Sequence, residues 1–211
     1  MRNVILIFRK IIKINYGRLW DAAELGNFEV IQELIASNNK PYPLDLNAKT
    51  LDDWTALHLA ANEGHTQIVD ILLKNDINKE AVTKMGRKAL HIATIKGNYD
   101  VVRLLIEAGC DLDYQDDDQS TPLHYASEHG YEKILRDLLD HHAKTNLKNY
   151  QGMTPVDLSQ DVKIMQLFEE FGIDNEDSGY GRTLYGTSIR NNSRADHVSN
   201  LLFWGNMIKI K

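Results

Sequence analysis

The stretch Thr121-Pro122-Leu123-His124-Tyr125-Ala126 decides the fold, because it recurs along the chain without a gap. Residues 55–60 read Thr-Ala-Leu-His-Leu-Ala, residues 88–93 read Lys-Ala-Leu-His-Ile-Ala and residues 154–159 read Thr-Pro-Val-Asp-Leu-Ser, so the copies follow one another at a constant spacing. Self-similarity at a fixed period of about 20–50 residues is the sequence signature of a repeat array. The chain is therefore predicted to stack similar units.

Each residue of the repeated stretch has a structural task. A Thr hydroxyl can cap the first helix of a unit, and Pro fits its first turn, where an N–H is not needed. Lys88 replaces the Thr in one unit, so that cap is predicted to be weaker. Small residues let neighbouring first helices approach closely, and a Gly four residues later supplies a left-handed turn, at Gly64, Gly97 and Gly130.

A second helix is predicted in each unit from apolar residues at helical spacing. The four stripes are Val30, Ile31, Leu34 and Ile35; Ile68, Val69, Leu72 and Leu73; Val101, Val102, Leu105 and Ile106; and Ile134, Leu135, Leu138 and Leu139. Neighbouring units must bury these stripes. Gly109 ends one second helix, and Asp76 and His142 stand at the equivalent positions, where both residue types tolerate a positive φ.

The two end units depart from the period. An upstream copy lies at 21–27, and its Gly26 is farther from Gly64 than Gly64 is from Gly97, so five residues are inserted around 39–43. In the last copy Lys163 replaces the turn Gly, and the apolar residues arrive about three positions early. Terminal repeats lack one neighbour, so residues 153–172 are predicted to form a cap whose helix pairing stays open.

A period of 33 with this Thr-Pro-Leu-His-x-Ala pattern resembles the ankyrin family over residues 16–172. The resemblance implies an all-α solenoid of stacked helix-turn-helix units with β-turn fingers. The predicted units span residues 16–49, 50–82, 83–115, 116–148 and 149–172, between a basic apolar segment at 1–15 and a flexible tail at 173–211.

The same resemblance implies that a protein partner binds a concave surface made of the fingers and the exposed side of the first helices. Carried over position by position, the predicted contacts are Leu51, Asp52, Trp54, Asn62, Glu63, Lys84, Met85, Arg87, Ile95, Lys96, Asp117, Asp118, Ser120, Glu128, His129, Tyr150, Gln151 and Met153. Trp54 and Arg87 are the predicted anchors. Along the stack the surface changes in three steps: an aromatic and apolar patch at Leu51 and Trp54, a basic band at Lys84, Arg87 and Lys96, and an acidic band at Asp116, Asp117, Asp118 and Glu128.

Composition narrows the other classes of function. The chain has 211 residues with a 43% hydrophobic and a 26% charged share, and no run approaches the ~18–20 apolar residues that cross a bilayer. Its single cysteine, Cys110, favours a reducing compartment, the cytoplasm or the nucleus. The net charge is −6, and five basic residues without an acid lie in the first twenty, so the remainder is acidic and argues against nucleic-acid binding.

Metal and catalytic sites find no support in the sequence. His58, His91 and His124 would stand about 10 Å apart in a stack, too far for one ion, and the resemblance implies an internal hydrogen-bonding role for them. A calcium loop starting at Asp111 would place Asp116 and Pro122 where a Gly and a Glu are required. We therefore expect no metal, cofactor, small-molecule substrate or catalytic residue, and Cys110 is predicted to be buried and inert.

The two ends leave alternatives open. Residues 2–14 are basic and apolar, and they form a capping segment, a membrane-surface or targeting helix, or sequence upstream of the true start. The apolar patch at 201–204 docks back, meets a partner, or marks where a longer chain was cut. The leading hypothesis is a monomeric, non-catalytic adaptor or scaffold. The alternatives are a membrane-peripheral adaptor and the regulatory segment of a larger signalling enzyme such as a kinase.

Overall fold

The computed structural model describes residues 15–37, 44–75 and 77–173, all within one compact unit. The predictions for residues 1–14, the insertion at 39–43, Asp76 and the tail from residue 174 onward lie outside the described residues. The described helices are α1 (15–25), α2 (Phe28–Ala36), α3 (Ala56–Glu63), α4 (Thr66–Leu73), α5 (Ala89–Lys96), α6 (Tyr99–Glu107), α7 (Pro122–Glu128), α8 (Glu132–Asp140), α9 (Pro155–Leu158) and α10 (Val162–Glu170).

The helices stack in two rows. First helices α3, α5, α7 and α9 pack on one another in order, and second helices α2, α4, α6, α8 and α10 form the other row. No strand is assigned in the described part of the chain. The predicted all-α solenoid of helix-turn-helix units is thus confirmed. No described helix has the length and apolar character that spanning a membrane would require.

The core runs between the two rows and is continuous from unit to unit. Ile68, Val69 and Leu72 on α4 are buried, as are their equivalents on α6 and α8. Ala60 and Ala93 are fully buried where the first helices meet. The small side chains permit this close approach, and the apolar stripes lose their contact with water only because a neighbouring unit covers them.

The helix caps follow the sequence closely. Thr121 and Thr154 each accept a hydrogen bond from the backbone N–H three residues on. Lys88 makes no such bond, as predicted. Its buried ammonium instead lies 2.6 Å from Glu80 Oε2 and 3.3 Å from Asp111 Oδ2. An ion pair between two units therefore stands at the position where Thr121 and Thr154 form caps; Thr55 makes no side-chain cap hydrogen bond.

The predicted turn residues adopt the left-handed backbone. Gly64, Gly97 and Gly130 have φ of 78°, 71° and 71° between the two helices of their units. His142 has φ of 64° at the end of a second helix, which confirms the position of its turn. Left-handed residues let each chain segment reverse without unsatisfied carbonyls at the helix end.

The last unit is a shortened cap. Helix α9 ends at Leu158, three residues before the position equivalent to Glu128. Helix α10 begins at Val162, three residues before the position equivalent to Glu132. It packs on α8 and buries Leu167 and Phe168. The predicted early arrival of the apolar residues is confirmed, and the pairing that the sequence left open is with α8.

Candidate functional site

A tight turn precedes each first helix from α3 onward and forms a finger. In the first finger the backbone N–H of Asp53 donates to the carbonyl of Thr50 over 3.1 Å, which makes residues 51 and 52 the tip. The other tips, at 84–85, 117–118 and 150–151, are closed by the same bond. The residue after each tip has positive φ: Asp53, Gly86, Gln119 and Gly152.

Backbone hydrogen bonds join neighbouring finger tips. The N–H of Lys84 donates to the carbonyl of Asp52 over 3.2 Å, and that of Asp117 donates to Met85 over 3.2 Å. The N–H of Tyr150 donates to Asp118 over 3.0 Å. Because these bonds repeat in register, the tips form one ordered row. The tips together with the exposed ends of the first helices are called the finger face below.

The repeated histidines hold the fingers to the helices. His58 Nδ1 accepts the backbone N–H of Thr55 over 3.1 Å, and its Nε2 donates to the carbonyl of Arg87 in the next unit over 3.2 Å. His124 makes the equivalent pair of bonds, to Thr121 and to Met153 of the next unit. His91 Nδ1 accepts the N–H of Lys88, and its Nε2 donates to the carbonyl of Tyr114 within its own unit. Burial lowers the pKa of His58 and His91 to about 4, so both are neutral at pH 7. Their predicted internal hydrogen-bonding role is confirmed.

Trp20 performs this histidine's task in the first unit. Once the five inserted residues are allowed for, Trp20 occupies the position equivalent to His58. Its Nε1 donates to the carbonyl of Ala48 over 3.2 Å. An indole N–H is a donor only, so it supplies the donated bond of the histidine, here to a carbonyl of its own unit. The Trp20 ring stacks on Tyr16 with ring centroids 6.1 Å apart. At the equivalent positions of the second unit, the ring centroids of Trp54 and His58 are also 6.1 Å apart.

Large apolar side chains lie exposed at three of the finger tips. Leu51 is 91% exposed, Met85 is 55% exposed and Tyr150 is 64% exposed. Trp54 lies below its tip and is only partly exposed. Exposed side chains of this size on three of the four tips provide apolar contact area that the fold itself does not use.

Most of the predicted basic band is paired within the protein. Arg87 Nε lies 3.1 Å from Asp116 Oδ2, and the second guanidinium nitrogen lies 3.4 Å from Asp118 Oδ2. That nitrogen also donates to the Tyr125 hydroxyl over 3.1 Å. Lys84 lies 3.5 Å from Asp52. The basic and acidic bands therefore neutralise each other in part, and Arg87 is held in place before any partner arrives.

Asp116 is a structural residue at the centre of this network. Its side chain is fully buried; one oxygen accepts the backbone N–H groups of Asp118 and Ser120, and the other accepts the Tyr125 hydroxyl over 2.6 Å. Burial, reinforced by this hydrogen bond, raises the pKa of Tyr125. Asp116 therefore does not belong to the exposed acidic band in which the sequence placed it.

The remaining predicted contacts divide by exposure. Exposed on the finger face are Leu51, Asp52, Glu63, Lys84, Met85, Lys96, Asp117, Asp118, Glu128, His129, Tyr150 and Gln151. Partly exposed are Trp54, Asn62, Arg87, Ile95 and Met153. Ser120 differs from the prediction of an exposed contact: it is only 6% exposed, and its N–H donates to the buried carboxylate of Asp116.

Two exposed apolar residues are not among the contacts predicted from the sequence. Leu25, at the end of α1, is 79% exposed, and the same allowance for the insertion shows it to be the equivalent of Glu63. Applying that allowance to the predicted contacts would have found it. Val162 is 57% exposed at the start of α10, and it has no equivalent because the cap leaves the period there.

The described residues offer few side chains placed to react or to bind a metal ion. Cys110 is buried as predicted, and burial raises the pKa of its thiol to about 12, which disfavours the reactive thiolate. In the described part of the chain no group of three or more His, Cys, Asp or Glu side chains could hold a metal ion.

Comparison with known proteins gives matches to repeat models and to curated relatives. A model described as ankyrin repeats in three copies matches residues 19–116, and an ankyrin repeat model matches residues 118–150. Together they cover more than half of the chain. Both stop before the cap formed by α9 and α10.

The relatives share only part of their length with this chain. Human B-cell lymphoma 3 protein is 34% identical over 128 residues, 60% of this chain and 28% of the relative. Ankyrin repeat domain-containing protein 40 from Homo sapiens is 37% identical over 70 residues, 33% of this chain and 18% of the relative. Ankyrin repeat and SOCS box protein 11 from Danio rerio is 30% identical over 116 residues, 55% of this chain and 39% of the relative.

Proposed function

Because this chain belongs to the ankyrin repeat family, we propose that it is a non-catalytic adaptor whose finger face binds a segment of another protein. Ankyrin repeats generally mediate protein–protein interaction. The proposal includes a monomeric state and a cytoplasmic or nuclear location. The matched regions cover 18% to 39% of the relatives' lengths, so a role within a larger protein is compatible with it.

The distribution of exposed apolar side chains carries the proposal. Of the five large hydrophobic side chains that are exposed in the described residues, Leu51, Met85 and Tyr150 are on finger tips and Leu25 ends a first helix. Exposed to water, these four side chains add nothing to the stability of the fold. A partner that covers them removes their apolar surface from water, which favours binding by about 25 cal/mol per Å².

The finger face is also rigid before binding. Backbone bonds join the tips, and the buried side chains of His58 and His124 each bond to the residue just before the N-cap of the next unit's first helix, Arg87 and Met153. A preformed surface loses little conformational entropy when a partner docks. These features favour recognition of an extended or loop segment laid across several tips.

The test is a pull-down with the full chain carrying Leu51→Ala, Met85→Ala and Tyr150→Ala. The three side chains are exposed, so the variant is expected to fold normally while recovery of the main partner falls by about tenfold or more. Far-UV circular dichroism checks the fold. Recovery equal to that of the unmodified chain would reject the finger face as the binding surface.

A matched control removes three exposed, uncharged side chains from the second-helix row. Gln32, Gln67 and Gln166 lie on α2, α4 and α10 and are all exposed. Their simultaneous replacement by Ala is expected to leave recovery unchanged. A loss as large as that of the finger-tip variant would place the interface on the opposite side of the array.

A further inference from the structure

The shortened cap leaves the end of α7 uncovered. Helix α9 stops at Leu158, so no last turn packs beside the C-terminal end of α7 as α7 packs beside α5. An open hollow of about 440 Å³ occupies the space, and Glu128, His129, Asp161 and Val162 line it. It lies beside the finger face, since Glu128 and His129 are both among the contacts predicted there.

Two carboxylates border this hollow without a cationic partner. Glu128 ends α7, and Asp161 caps α10, where its Oδ1 accepts the N–H of Lys163 over 2.9 Å. The Asp161 Oδ2 atom lies 3.7 Å from the place where a Cβ on Gly130 would stand, so it faces the end of α7. Neither carboxylate forms an ion pair within the described ranges of the chain.

The other charges around the hollow are of both signs. The last carbonyls of α7 present the negative end of a helix dipole. Lys96 is exposed at the end of α5, which packs on α7, and Lys163 is exposed on α10. Lys84 and Arg87 are already paired with Asp52, Asp116 and Asp118. Asp117 is exposed on the same side of the array. A cation in the hollow would therefore be attracted without first breaking an internal ion pair.

The hollow suits a long organic cation better than a metal ion. Two carboxylates are too few for a protein-bound calcium, which takes six to eight oxygen ligands. Val162 is 57% exposed, and the His129 ring stacks on Tyr131 with centroids 5.5 Å apart. An aliphatic stem can lie on such apolar surface while its charged head reaches a carboxylate.

We propose that this hollow receives a lysine or arginine side chain of the protein segment bound along the finger face, an inference that rests on the proposed function. The partner segment then carries apolar residues that meet the tips and a basic residue at its end nearest the cap. The two groups would fix both the direction and the register of the segment.

The test selects peptides from a random twelve-residue phage library on the full chain and measures their affinity by fluorescence polarisation. Selected peptides are expected to contain lysine or arginine and to bind Glu128→Gln, Asp161→Asn about tenfold more weakly. Asn at 161 keeps an oxygen that can cap α10. The control Asp140→Asn, Glu169→Gln removes the same charge from exposed positions on α8 and α10 and should change affinity less than about twofold.

Replacing the basic residue of a selected peptide with norleucine completes a double-mutant cycle. Affinity should fall for the unmodified chain and change little for the Glu128→Gln, Asp161→Asn variant. Equal losses for both chains would overturn the basic-residue proposal. Peptides that lose affinity with the finger-tip variant but not with the hollow variant would overturn it while leaving the proposed function intact, whereas peptides insensitive to the finger-tip variant would reject the proposed function itself.

Discussion

Gln119 illustrates how single residues shape the finger face. Its φ is 55°, and the equivalent residues of two other fingers are Gly86 and Gly152, with φ of 68° and 76°. A side chain at such a φ is strained because its Cβ crowds the backbone, whereas Gly adopts this conformation readily. The chain therefore carries strain at this finger that the glycines of the other two fingers avoid, as it also does at Asp53 of the first finger, with φ of 60°.

We predict that Gln119→Gly raises the free energy of unfolding by about 0.5–1 kcal/mol, since relief of strain outweighs the added freedom of the unfolded chain. The Gln119 side chain is exposed, so little contact is lost. Urea denaturation followed by circular dichroism measures the change. Lys148→Gly is the control: Lys148 is exposed and is not among the positive-φ residues, so Gly there should be destabilising.

Individual helices of this array depend on their neighbours more than on their own length. Helix α9 has four residues, far fewer than an isolated helix needs to be stable in water. Thr154 caps it and Pro155 begins it, but its position is fixed by packing on α7. Helix α10 covers the end of the core, and its own Phe168 side chain is fully buried there.

At this scale we predict that Phe168→Ala lowers the free energy of unfolding by about 3–5 kcal/mol, because it leaves a cavity between α8 and α10. Val162→Ala at the exposed start of the same helix should cost less than about 0.5 kcal/mol. Denaturant unfolding of both variants provides the comparison. Similar small losses for the two would mean that α10 does not close the core.

Buried histidines join successive units of the array. His58 and His124 each donate to a backbone carbonyl of the next unit, and His91 donates to the carbonyl of Tyr114 within its own unit. Burial lowers the pKa of His58 and His91 to about 4 and lowers that of His124 in the same direction. Protonation therefore favours the unfolded chain, in which these groups have a pKa near 6.5.

We predict that stability falls as the pH decreases from about 6.5 towards 4, because the unfolded chain binds more protons in that window. The slope should reach at most about 1.4 kcal/mol per pH unit for each histidine. Urea midpoints at several pH values measure it. His58→Gln should be less stable at pH 7 but show a shallower pH dependence; an unchanged slope would mean that His58 does not contribute.

The period of 33 in the sequence was enough to predict most of the architecture. It predicted the two helices of each unit, the turn glycines and the early arrival of the cap residues, because these features depend on local spacing and on burial by an adjacent unit. The internal role of the histidines and the positions of the fingers were implied by the family resemblance. The period had two limits. It missed Leu25, which lies on the far side of a five-residue insertion, and it treated Ser120 and Asp116 as surface residues.

Sequence alone therefore determined the unit, its repetition and the positions of its turns, since each unit follows the same local rules of capping, helical periodicity and backbone conformation. Only the tertiary structure decided which charges are free, because the pairing of Arg87 with Asp116 and Asp118 joins different units. It alone also revealed the hollow beside Glu128, which exists because α9 ends before it reaches that part of α7.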